Sequence, residues 1–321
     1  MDIDYDVVII GGGPAGLYSS IILQRGIPTQ STSENLKIAV FDSGPMGGLA
    51  NFAFIQISKK WAFSGSNVKM SFVEEAKSIG VELHENVHIN KVETIDDKNN
   101  PHLALYTGTK RITAKYVIIA VGIMNNPFVL RDPKIVIGLH TPQHMVEELE
   151  LKNMKKIIIY GSYEASLVEL KHYFELNGSF ESVSVRTMEK EASDLLGGIN
   201  SSEYEKTDCI LLDYNSYKVI NGATQLLELD GVKYKNGFIL TDEFGKTHND
   251  LIYAAGTVSE PTTGILISLS SAILASLSLG RKLRKELISE PAGRFPWFPR
   301  ENDWEASWMP YLEDLGVKKD D

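Results

Sequence analysis

Apolar and polar positions along the chain repeat one order: short apolar strand, glycine turn, helix-length stretch. Residues 5–10 form a β-branched run that ends in Gly11-Gly12-Gly13-Pro14-Ala15-Gly16. A helix-like stretch over 17–25 follows. Gly26 and a polar segment over 27–35 then interrupt the pattern, and a second apolar strand over 36–41 closes on Asp42. Strand, tight turn, helix and strand in this order predict a βαβ unit. A second unit opens near Lys155, with a strand over 156–160 that stops at Gly161, a helix over 165–174 ended by Asn177-Gly178, and a strand over 183–185. Two further apolar runs, 116–121 and 251–255, each end on a glycine, Gly122 and Gly256. Residues 264–279 read as a buried helix rich in small residues. The fold class predicted is α/β, with two Rossmann-like dinucleotide-binding domains.

The first glycine turn carries chemistry. In Gly11-x-Gly13-x-x-Gly16 the first glycine permits the tight turn out of the strand, the second lets backbone approach a pyrophosphate, and the third lets helix pack on strand. The helix N-terminus then offers N–H groups and a partial positive charge to phosphate. Asp42 ends the next strand, where a carboxylate accepts hydrogen bonds from an adenosine ribose. An acid at this position disfavours a ribose 2′-phosphate.

Composition narrows the picture. The 321 residues are 43% hydrophobic and 23% charged, ordinary for a globular chain long enough for about two domains. The net charge of −10 and the dispersed basic residues argue against a nucleic-acid partner. Arg281, Lys282, Arg284 and Lys285 sit where cations complement a helix C-terminus. No apolar stretch approaches a membrane span: 264–279 contains five serines and is too short. With no signal segment visible, a cytoplasmic protein without a membrane partner is expected. The single cysteine, Cys209, excludes an intrachain disulfide, a CxxC pair and any multi-cysteine metal site. It opens an apolar run and reads as a buried structural thiol. No other metal-ligand spacing stands out.

The GGGPAG turn, Asp42 and Gly47-Gly48-Leu49 together resemble the FAD domain of the low-molecular-weight thioredoxin reductase family. So do Ser64-Gly65 with the helix that ends near Ile79-Gly80-Val81-Glu82, the strand ending in Ala120-Val121-Gly122, and the block ending in Ala254-Ala255-Gly256-Thr257. The resemblance covers residues 5–280. It implies an FAD-binding domain from 1–126 and 236–294, a degenerate NAD(P)-binding-like domain at 127–235 inserted into it, and an aromatic tail at 295–321. It implies FAD contacts at Gly11, Gly13, Pro14, Ala15, Gly16, Asp42, Ser43, Gly47, Gly48, Leu49, Asn51, Val87, Ala120, Gly122, Gly256, Thr257 and Val258. It also implies a homodimer.

The departures from the family are specific. Its CxxC positions fall near His144 and Glu147, so thioredoxin reduction of the usual kind is excluded. The second fingerprint reads Gly161-Ser162-Tyr163-Glu164-Ala165-Ser166, with Tyr163 where a glycine admits the pyrophosphate and Glu164 adding negative charge. Of the segment that contacts the NADPH 2′-phosphate, Val185-Arg186-Thr187 keeps one arginine. These changes argue against efficient NAD(P)H binding. Thr257 replaces the aspartate expected after Ala255-Gly256, and Thr262-Thr263-Gly264 stand where a glutamine is usual. His140 and His144 flank the former CxxC region, either solvated or over the flavin as proton donors. Among the tail aromatics, Trp297, Trp304 or Trp308 either stacks on a flavin or packs on the surface. The function expected is an FAD-dependent oxidoreductase without a redox-active disulfide, exchanging electrons with a protein or small molecule such as oxygen, a quinone or a ferredoxin. The alternatives are a flavin-binding protein with little turnover, acting as a redox sensor or through partners, and a ferredoxin-NADP reductase-like enzyme. No catalytic residue is assigned.

Overall fold

The computed structural model describes residues 3–25, 36–98, 100–108, 110–124, 127–187, 201–213, 224, 226–259 and 264–288. The aromatic tail, Thr262 and Thr263 lie outside the described residues. The first half runs β1 (Tyr5–Ile10), α1 (Pro14–Arg25), β2 (Ile38–Phe41), β3 (Phe54–Ser58), β4 (Trp61–Ser64), α2 (Gly65–Ser78), β5 (Glu82–His84), β6 (Lys91–Ile95), β7 (His102–Thr107) and β8 (Lys110–Ile119). Then come β9 (Ile135–Gly138), α3 (Pro142–Leu151), β10 (Lys156–Gly161), α4 (Glu164–Asn177), β11 (Ser182–Thr187), α5 (Ser201–Glu205) and β12 (Cys209–Asp213). The chain closes with β13 (Glu228–Leu229), β14 (Tyr234–Lys235), β15 (Phe238–Ile239), β16 (Ile252–Ala254) and α6 (Ile265–Ile288).

Two sheets organise the chain. The larger has the order β13-β6-β7-β8-β1-β2-β5, with β16 also paired to β8. Its β16-β8-β1-β2-β5 part is parallel, and β6-β7-β8 is an antiparallel meander. The smaller sheet, β11-β10-β12-β9, is parallel throughout. It is built from residues between β8 and β13, so a second nucleotide-type fold is inserted into the first. β13 lies before the expected domain boundary at 236, yet pairs with β6 of the larger sheet.

Burial explains the apolar runs. Val7, Val8 and Ile9 of β1 are fully buried on both faces of a central parallel strand, so the sequence there is continuously apolar rather than alternating. α1 is buried nearly all round because α6 covers the side that the sheet leaves open. Leu17 and Leu23 share a core with Ala272, Ala275, Leu279 and Leu283. The small residues predicted in α6 allow this close approach. The predicted end at 279 is corrected: α6 continues to Ile288. Its segment Ile265–Leu283 is long and apolar enough by composition to cross a membrane, contrary to the expectation that the run is too short. A third of that stretch is buried, on the side that carries Ala272, Ala275, Leu279 and Leu283. The strand predicted over 116–121 is also corrected: β8 runs Lys110–Ile119, and just past its end the Ala120 N–H still donates to the Ile10 carbonyl of β1 at 2.7 Å.

Candidate functional site

A cavity of about 250 Å³ opens at the carboxyl ends of β1, β2 and β8, where ligands bind in open parallel sheets. The first fingerprint forms one wall. Gly11 has φ +108°, and a Cβ there would lie 2.3 Å from the Ala120 carbonyl oxygen. Gly16 is a packing glycine behind the turn, where a Cβ would fall 1.8 Å from the Gly11 oxygen. Gly13 differs, because a Cβ built on it meets nothing within 4 Å. That open side faces the cavity at the first turn of α1, where helix N–H groups have no intrahelical partner.

Of the predicted contacts, Gly11, Gly13, Pro14, Ala15, Asp42, Ser43, Gly47, Gly48, Leu49, Val87, Ala120, Gly122, Gly256 and Thr257 all line the cavity. Gly16, Asn51 and Val258 do not. Asn51 acts one step back, donating through Nδ2 to the carbonyls of Met46 at 3.0 Å and Gly48 at 3.1 Å. Val258 is a core residue beneath the floor. The Gly256 N–H donates to Ser271 Oγ at 2.7 Å, which anchors the turn that presents Thr257. Sequence reasoning missed an apolar wall that includes Met124, Leu130, Leu139, Leu226 and Leu227. These residues come from segments without a motif.

Asp42 is held by backbone. Its Oδ2 accepts from the Gly12 N–H at 2.6 Å and its Oδ1 from the Gly44 N–H at 2.7 Å. Burial pushes its carboxyl up to about 6, with Glu85 adding to the rise. The two amide bonds and Arg131 act in the other direction. The Val87 N–H donates to the Asp42 carbonyl at 2.8 Å, so strand end and facing loop are joined.

The second fingerprint is built differently. Tyr163 is the N-cap of α4, and its ring is 40% exposed at the position where a glycine would admit phosphate. Glu164 occupies the first helical turn. Ser166 Oγ donates to the buried Asp213 carboxylate at 3.4 Å. Arg186, the surviving arginine, forms an ion pair with Glu203 of α5. Neither His140 nor His144 lines the first cavity. Their rings pack against Phe54, with centroids at 6.3 and 5.5 Å, and burial lowers the His140 pKa. Cys209 is buried at the start of β12, and burial pushes its thiol up to about 12. Among the described residues no cluster of three or more histidine, cysteine or acidic side chains has the arrangement of a metal site.

Comparisons with known proteins bear on the family and the fold. Residues 5–165 match the model of the family described as pyridine nucleotide-disulphide oxidoreductase. A thioredoxin reductase of Mycoplasmopsis pulmonis is 25% identical over 328 aligned residues, covering 88% of this chain and 98% of that protein. The fold is shared with the crystal structure of T. acidophilum thioredoxin reductase, with a TM-score of 0.53 at 17% identity, covering 88% of this chain and 99% of that one. It is shared also with a thioredoxin reductase from Gloeobacter violaceus, with a TM-score of 0.51 at 17% identity, covering 92% and 100%. Fold, fingerprint and family match together make this chain a thioredoxin reductase-like member of the pyridine nucleotide-disulphide oxidoreductase family, an FAD-binding lineage, and one that lacks the CxxC pair.

Proposed function

We propose that the protein is an FAD-dependent oxidoreductase that exchanges electrons with an acceptor other than a disulfide. The observation that carries this reading is the pairing of a cavity that retains the first fingerprint and Asp42 with a single, buried cysteine. The residues of that cavity fit a dinucleotide. Gly13 leaves open space beside the helix N-terminus, which takes the pyrophosphate charge. Asp42 keeps lone pairs for ribose hydroxyls after accepting from Gly12 and Gly44. The apolar wall includes Leu130 beside Gly44 and Leu226 beside His88, so it offers apolar contact on the side of the cleft that holds Asp42. When bound, FAD supplies reversible two-electron and one-electron chemistry. The chain's part is to bind it, orient it and hold the Asp42 charge. No dithiol is available to pass electrons onward, so the acceptor meets the flavin directly.

The second unit does not suit NADPH on this reading. Arg186 is paired with Glu203, Glu164 repels phosphate, and Tyr163 stands at the N-cap where a glycine would admit it. The same observation favours a second reading, a flavin protein with little turnover that senses redox state or binds a partner. Anaerobic mixing of FAD-loaded protein with NADPH, NADH or a reduced ferredoxin separates them. The oxidoreductase reading expects little bleaching of the flavin band by NADPH and rapid bleaching by a protein or small-molecule donor. Failure of every physiological donor leaves the second reading. Protein that cannot take up FAD sinks both.

A further inference from the structure

Arg131 ends a 3-10 segment, Pro127–Arg131, beside the cavity but does not line it. Its Nε donates to the Ser43 carbonyl at 2.6 Å and its Nη2 to the Asn86 carbonyl at 3.3 Å. Its guanidinium carbon lies 4.9 Å from the Phe128 ring centroid, and Phe128 meets His88 edge-on at 5.0 Å. Ser43, Val87 and His88 are all cavity wall. Asn86 itself sits at φ +60°, a left-handed turn that an asparagine tolerates, and its N–H donates to the Gly44 carbonyl at 3.0 Å. The arginine fork therefore spans two wall segments and spends its donors on backbone carbonyls rather than on a carboxylate. Charge adds a second, independent element. Glu85 Oε1 accepts the Met46 N–H at 2.6 Å, which fixes that carboxylate near Asp42. The charged groups that act on Asp42 are thus Glu85 from the loop after β5 and Arg131 from the 3-10 segment, and the titratable His88 on the same wall has its pKa lowered by burial and by Arg131.

We propose that Arg131 is a positioning residue for the adenosine end of the cleft, holding the Ser43 and Asn86–His88 walls at the spacing a bound dinucleotide requires and offsetting the Glu85 charge beside Asp42. The proposal rests on the FAD reading, and its test separates the two. FAD, ADP and FMN are titrated into apoprotein of wild type, Arg131→Gln and Arg131→Lys between pH 5 and 8. Arg131→Gln weakens FAD and ADP by about tenfold at pH 7.5, the scale of one hydrogen bond to a charged group, and leaves FMN unchanged because FMN lacks the adenosine end. The pH below which ADP affinity falls moves upward in Arg131→Gln. Arg131→Lys restores that pH, since the charge is kept, and recovers only part of the affinity, since the fork is lost. Isotherms and pH midpoints of Arg131→Gln that superimpose on wild type overturn the proposal. So does an equal loss of FMN and ADP, which marks a general structural defect. If wild type takes neither FAD nor ADP, the FAD reading fails, and apoprotein stability against pH decides alone. Arg131→Gln must then carry the fall in stability described below to higher pH, and an unchanged profile overturns the role of Arg131.

Discussion

Asp42 accepts two backbone N–H groups, a setting that by itself lowers a carboxyl pKa, yet its value is pushed up to about 6 from 3.8 because burial outweighs both bonds. The folded state therefore binds this proton more tightly than the unfolded chain. Between pH 3.8 and about 6 the native state holds a proton that the unfolded state has lost, so stability falls as pH rises through that window. Thermal melts of apoprotein should show this fall, and Asp42→Asn should remove it. Ligand binding runs the opposite way, because a ribose hydroxyl donates to the ionised form. FAD affinity should drop below about pH 6 in wild type, and at neutral pH Asp42→Asn should lose about tenfold with a flat pH profile, followed by flavin fluorescence quenching. The fingerprint glycines separate by role. Gly13→Val should keep the fold and lose FAD, whereas Gly16→Val should destabilise the protein outright, since its Cβ collides with backbone. Circular dichroism melts beside FAD titrations check both. The glycines and Asp42 were legible in the sequence because local spacing fixes their roles. Arg131 was not, since its partner Ser43 is 88 residues away and no motif marks the pair.

Elements with one dominant period or run were readable. β1 matches its predicted bounds, and β10 and α4 extend theirs only slightly, because continuous apolar strands and glycine stops are strong local signals. The β3–β4 hairpin was not foreseen. It is a separate two-stranded sheet whose Trp61 is 60% exposed, so burial does not impose a pattern on it. α6 outran its prediction because charged residues from Arg281 onward end the apolar composition but not the helix. Lys282, for instance, reaches the Asp250 carbonyl at 3.0 Å from within it. The close packing under α6 sets the tolerance for substitution. Ala275 is fully buried and its Cβ faces Gly245, so Ala275→Leu should cost about 1–3 kcal/mol by overpacking, measured by denaturant unfolding. Cys209 belongs to the same class of core position. Its thiol should resist labelling in the native state, and Cys209→Ala should leave flavin chemistry intact.

At the scale of the whole molecule, two nucleotide-type sheets carry sites of unequal quality. The first cavity keeps its glycines, its helix N-terminus and its carboxylate. The second has an aromatic ring, an acid and a spent arginine in the corresponding places. The contrast was partly visible in the sequence, where Tyr163 and Glu164 stand in the second fingerprint. The Arg186–Glu203 ion pair was not, because α5 approaches β11 only in the folded chain. A chain with one buried thiol and no CxxC pair should store electrons on FAD alone. Stepwise anaerobic reduction of the FAD-loaded protein with dithionite counts them directly. Complete reduction at two electrons per flavin is predicted, the capacity of FAD by itself. A second pair of electrons taken up after the flavin is reduced would reveal a further redox group, such as a disulfide between the Cys209 thiols of two chains, and would contradict the account.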